Sequence, residues 1–95
     1  MRYLESFGFP KERIDELEEK LPDVMLNAFN EAYKLVSANI TFLNDLGVKN
    51  TADIFFNFYE LFLLDHSNFK AIFEKYDKED LIEKLAKNVA IVEYL

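Results

Sequence analysis

The chain has 95 residues, 51% of them hydrophobic, a formal charge of −7 and no cysteine. That length makes one domain, residues 1–95, with a single core; the missing cysteine excludes a disulfide framework, a thiolate zinc site and a cysteine nucleophile. Acidic residues outnumber basic ones 7 to 4 in residues 1–30, 5 to 2 in 31–65 and 6 to 5 in 66–95, so no segment offers the clustered Lys and Arg of a DNA binder.

With only two Gly and two Pro, little of the chain is left for loops, and disorder is not expected. The N-terminus lacks a long apolar run, so no secretory signal is read there. With no cysteine either, the expected location is cytoplasmic. Gly8-Phe9-Pro10 reads as a turn feeding a helix over Lys11–Leu21, which Pro22 stops. Ile14, Leu17 and Leu21 share its inner face, and Glu12, Asp15, Glu16 and Glu19 line the opposite, solvated side.

From Asp23 an a/d-like seam runs through Met25, Ala28/Phe29, Ala32, Leu35/Val36, Asn39/Ile40, Leu43 and Leu46. It predicts one long helix, Asp23–Leu46, with room for an interruption near Asn27–Asn30 and a stop at Gly47. Asn50 is placed to cap the next helix, with Asp53 in its first turn. In the run Ile54–Leu64, nine of eleven residues are apolar or aromatic, and only Asn57 and Glu60 are polar. This run is too short to span a membrane, which takes about 20 residues, and reads as a central helix needing cover on nearly every side. Ile54, Phe58, Leu61 and Phe62 are assigned to the core, and Phe56, Tyr59 and Leu63 to another side.

Asp65-His66-Ser67-Asn68 is a turn rich in capping side chains. Phe69, Ile72, Phe73 and Tyr76 mark one face of a short helix. Asp77, with Asp80 three residues on, starts a last helix whose inner face is Leu81, Leu85, Val89 (or Asn88) and Val92. The apolar end Val89–Leu95 reads as docked on the body, or as part of a fragment whose continuation covers it.

Two turns look alike: Gly8-Phe9-Pro10 and Gly47-Val48-Lys49 both place Gly and an apolar residue ahead of a helix whose first buried residue is Ile. Lys78-Glu79-Asp80-Leu81 echoes Lys11-Glu12-Arg13-Ile14, which suggests stacked helical hairpins. With Leu21-Pro22-Asp23-Val24-Met25 and the Leu46-Gly47 helix end, these stretches resemble the repeats of the mitochondrial transcription termination factor (mTERF) family. Leu61–Leu64 and Asn88–Val92 occupy its further Pro elements without the Pro. The resemblance implies an all-α helical-hairpin array of about five helices and nucleic-acid binding in a basic groove. The acidic charge argues against importing that function.

His66 is the only histidine, and it is read as part of a capping turn rather than as a catalyst. No nucleophile elbow, glycine-rich phosphate loop or metal motif is found, so neither an enzyme nor a cofactor is expected. The expected function is a non-catalytic binding module for a protein partner or a second copy, with Phe56, Tyr59, Ile91 and Tyr94 as its contact residues. The alternatives are an mTERF-like nucleic-acid module, using the lysines of the last third, and an acidic inhibitor of a nucleic-acid-binding protein.

Overall fold

In the computed structural model, which describes residues 1–95, helices account for every regular element and there is no strand. The six α-helices are α1 (Lys11–Lys20), α2 (Asp23–Glu31), α3 (Tyr33–Leu46), α4 (Thr51–Asn57), α5 (His66–Glu74) and α6 (Lys78–Lys87). Three 3-10 segments, Arg2–Phe7, Tyr59–Leu63 and Val89–Tyr94, complete the chain. The Cα radius of gyration, 12.9 Å, is close to the roughly 12.4 Å expected of a compact chain this long.

Both glycines act through a left-handed backbone. Gly8 has φ 80° and Gly47 has φ 106°, conformations that cost a Cβ-bearing residue free energy. Gly47 ends α3 with Val48 N–H reaching back to Leu43 O at 3.1 Å and its own N–H to Asn44 O. The apolar residue after each glycine, Phe9 or Val48, is buried, so each turn also anchors the chain.

Two expected long helices are each divided in two, and each division coincides with a side-chain hydrogen bond. The 23–46 helix breaks at Ala32, slightly beyond the anticipated interruption, leaving α2 and α3. Tyr3 Oη donates to Phe29 O at 2.8 Å, the carbonyl that Tyr33 N–H would take in an unbroken helix. The 50–64 helix stops at Asn57, whose own amide donates to Asp53 O at 2.8 Å, a local bond that competes with helical pairing. At Phe58 φ is −136°, and the chain continues as a 3-10 turn. The expected helix to the C-terminus likewise ends at Lys87, where Asn88 Oδ1 accepts from Ala90 N–H and opens the last 3-10 segment.

The capping expectations divide. Asp65 and Asp77 accept from Asn68 N–H and Asp80 N–H and cap α5 and α6. Asn50 stands at the start of α4 but does not cap it: its Nδ2 donates to Leu85 O at 2.8 Å, tying α4 to α6. Asp53 stands in the first turn of α4 as expected and also takes the Arg13 guanidinium at 2.6 Å.

The core is a column of phenylalanine rings. Phe9 meets Phe55 at 5.6 Å, Phe55 meets Phe62 at 5.1 Å, Phe62 meets Phe69 at 5.0 Å, and Phe69 meets Phe73 at 5.1 Å. Phe29 joins Phe55 edge-on at 5.9 Å. These offset and edge-to-face contacts add to the area the rings bury. Phe55 is fully buried here although the sequence reading left it out, whereas Phe58 and Leu61, assigned to the core, are half-buried. The break at Asn57 rotates the register, so Phe62 reaches the column and Phe58 turns aside.

Phe55→Ala or Phe62→Ala is therefore expected to cost about 3–5 kcal/mol, the range for emptying a buried aromatic site. Phe58→Ala is expected to cost clearly less. Urea titration of the three variants checks the order, and equal losses would contradict the placement of Phe58.

Asn39 is wholly buried on α3. Its Nδ2 donates to Phe62 O at 3.0 Å and Leu64 O at 3.1 Å, and its Oδ1 lies 2.8 Å from His66 Nδ1. Asn39→Leu strands two carbonyls and one imidazole N–H. At about 1–3 kcal/mol for the buried Phe62 carbonyl left unpaired, with the part-buried bonds to Leu64 O and His66 lost as well, the same titration should show a loss of at least that size.

A candidate partner-binding cleft

The break between α4 and the 3-10 turn opens a cleft of about 650 Å³. Phe56, Phe58, Tyr59, Leu61, Leu64 and Val92 supply its apolar lining, and Lys20, Asn57, Glu60 and Glu93 its polar part. Phe56 and Tyr59, both expected to contact a partner, therefore share one site. Each has one face held by the protein. Phe56 lies 5.7 Å from Phe9 and beneath the Arg13 guanidinium at 4.5 Å; Tyr59 packs edge-on to Phe29 at 6.0 Å. Anchored rings of this kind lose little entropy when a second surface covers them.

Ile91 and Tyr94 line a different and smaller hollow, about 200 Å³, together with Tyr76, Leu81 and Leu95. Tyr94 is 82% exposed, the most exposed large apolar side chain of the chain. The C-terminal residue beside it is held in place: Lys75 Nζ and Tyr76 Oη donate to Leu95 O at 3.1 and 3.3 Å. The four expected contact residues thus fall into two pairs. The segment 91–94 joins them, since Val92 and Glu93 face the large cleft while Ile91 and Tyr94 face the small hollow. Phe58, Leu61 and Leu64 were not foreseen as lining; the signal available was Asn57, a helix-breaking amide inside an apolar run.

His66 is not a capping residue. The amide of Asn39 spends its N–H groups on two carbonyls, so its oxygen must accept, and His66 must carry the proton on Nδ1. The Phe42 ring stands edge-on to the imidazole at 6.3 Å. No group of three or more His, Cys, Asp or Glu side chains is placed to hold a metal ion, and no helix is long and apolar enough to cross a membrane.

The N-terminal segment is fastened to α1 and α2 by charge. The Met1 amine reaches Asn30 Oδ1 at 2.5 Å and Glu18 at 3.4 Å. Arg2 bridges Asp15 and Glu18, with Glu18 at 2.6 Å; the hydrogen bond to Asp15 chiefly raises the guanidinium pKa, against a smaller desolvation effect. Burial pushes the Tyr3 phenol up from 10.0 to about 12. No family model, curated protein or solved structure matches the chain.

A raised phenol pKa means that the folded state holds its proton more tightly than the unfolded state. The contribution of Tyr3 is thus whole below pH 10.0 and is lost as pH rises toward about 12. Stability measured across that window should fall in the native chain and fall less steeply in Tyr3→Phe, which has no proton to lose.

Proposed function

We propose that the chain is a non-catalytic binding module that receives apolar side chains of a protein partner, or of a second copy, in the cleft between residues 56–64 and Val92. The observation that carries this reading is the lining itself: three aromatic rings and two leucines of one short segment line an open site. Half-buried aromatics with a fixed inner face are the usual anchors of protein interfaces, and a small chain rarely leaves such a patch unused. The small hollow at Ile91 and Tyr94 extends the same surface around the C-terminal segment.

The finer architecture belongs to this proposal too. A left-handed glycine followed by a buried apolar residue opens both α1 and α4. A short helix followed by a 3-10 turn recurs as α4 with 59–63 and α6 with 89–94, each turn burying its fourth residue, Phe62 or Val92. This recurrence supports stacked helical units of the mTERF-like kind. It supports the shape without the nucleic-acid function, for which the net charge of −7 is unfavourable.

A second reading has its own observation. Glu12, Glu16 and Glu19 are exposed on α1 and make no ion pair. An acidic face of this kind suits a basic partner, such as the nucleic-acid groove of another protein.

Sedimentation from micromolar to near-millimolar concentration should show a reversible mass increase if the cleft takes a second copy. Leu64→Glu should abolish it, because Leu64 edges the cleft and is already 37% exposed. A monomer at every concentration removes the self-association branch and leaves the foreign partner. Duplex DNA at physiological salt should bind no better than the weak non-specific level of about 10⁻⁴ M; micromolar retention on a gel would restore the nucleic-acid reading.

A further inference from the structure

Alongside α3, on the face where α5 packs, runs a shallow groove of about 550 Å³ whose chemistry differs from that of the cleft. From α3 it receives Lys34, Ser37 and Thr41, positions three and four apart and therefore on one helical face. From α5 it receives His66 and Lys70, one turn apart. Neither lysine is in an ion pair anywhere in the chain, although acids outnumber bases 18 to 11. The one acid lining the groove is Asp45, eleven positions and about 16 Å along the helix axis from Lys34 but one turn beyond Thr41, at the far end of the groove. The other two hollows carry no such excess: the cleft sets Lys20 against Glu60 and Glu93, and in the C-terminal hollow Lys84 is paired with Asp80 at 3.0 Å.

The imidazole adds organisation. Because Asn39 holds the proton on Nδ1, the nitrogen without a protein partner is Nε2, on a ring fixed by buried Asn39 and by Phe42. We propose that this groove binds one phosphomonoester group. Its near-double negative charge and three acceptor oxygens match two free ammonium groups and two hydroxyl donors; Nε2, which carries no proton in this tautomer, is not among the donors. A nucleic-acid strand is a poorer match, because a polyanion leaving the groove meets a chain of net charge −7. The carrier of the phosphate is either a small molecule or a phosphorylated side chain of a partner protein. This site is separate from the apolar cleft and does not rest on the function proposed for it.

The probe is inorganic phosphate, titrated into the ¹⁵N-labelled full chain against chloride at matched ionic strength. Binding should give saturable shifts confined to residues 34–41 and 66–70, with a millimolar midpoint. The Lys34→Ala/Lys70→Ala double variant should weaken it by about tenfold or more, while the rest of its spectrum shows that the fold is kept. Shifts equalled by chloride, shifts spread over Lys75, Lys78, Lys84 and Lys87, or an unchanged midpoint in the double variant would each overturn the proposal. Free phosphoserine and a short neutral peptide containing it then identify the carrier. Tighter binding of the peptide points to a modified protein, and equal or weaker binding to a small molecule.

Discussion

The structure depends on the buried amide of Asn39. A 3-10 turn leaves backbone carbonyls without the partners that an α-helix would provide, and inside a core such carbonyls are costly. Asn39 supplies two N–H groups to Phe62 O and Leu64 O, where the 3-10 turn gives way to the loop before α5. Its oxygen takes the proton of His66, the first residue of α5. One side chain on α3 therefore sets where the central segment ends and where the next helix begins. A hydrophobic residue of the same size could fill the space, but it could not satisfy the turn.

The column of rings follows from that arrangement. Had the run 54–64 stayed helical, Phe55 and Phe62, seven positions apart, would lie two turns from each other along one face. The non-helical backbone at Phe58, φ −136°, instead turns the chain so that their centroids lie 5.1 Å apart, and the column passes on to Phe69. The same change of register swings Phe58 and Leu61 out of the core and onto the cleft. Core and candidate site are thus two results of one helix break, stabilised on one side by aromatic packing and on the other by Asn39.

Much of the fold is legible as helical periodicity. Ile14 and Leu17 of α1, Val36, Ile40 and Leu43 of α3, Phe69 and Phe73 of α5, and Leu81 and Leu85 of α6 are all buried as their spacing implies. Gly47, Asp65 and Asp77 act at the helix ends where their chemistry places them. The breaks are less legible, because two involve bonds between residues far apart in sequence: Tyr3 with Phe29, and Asn39 with Phe62 and Leu64. No local pattern records such a bond. The only trace was polarity out of place, an Asn at a seam position and an Asn inside an apolar run, and each marked a point where the backbone needed a side chain. Of the candidate contact residues, Phe56 and Tyr59 share the cleft, while Ile91 and Tyr94 lie around the C-terminal segment from it. That division follows from the 3-10 turn at 89–94, where the helical spacing read through Val89 and Val92 gives way after Lys87.

The aromatic content, ten Phe and five Tyr, takes on a narrower meaning once the column is accounted for. Phe9, Phe29, Phe55, Phe62, Phe69 and Phe73 are committed to the interior, so they offer no contact to another molecule. Phe56, Phe58 and Tyr59 remain half-covered beside one another, in a cleft that also carries Lys20, Glu60 and Glu93. An apolar lining bordered by two carboxylates and one ammonium favours an apolar segment with a basic flank over one with an acidic flank, since like charges at an interface edge slow association and disfavour the wrong partner. A second copy of this chain meets that requirement poorly: α6 has three lysines but also three acids, and Lys84 and Lys87 are already paired with Asp80 and Glu83. The net charge therefore bears on the cleft as well as on nucleic acid, since copies meeting acid face to acid face repel one another.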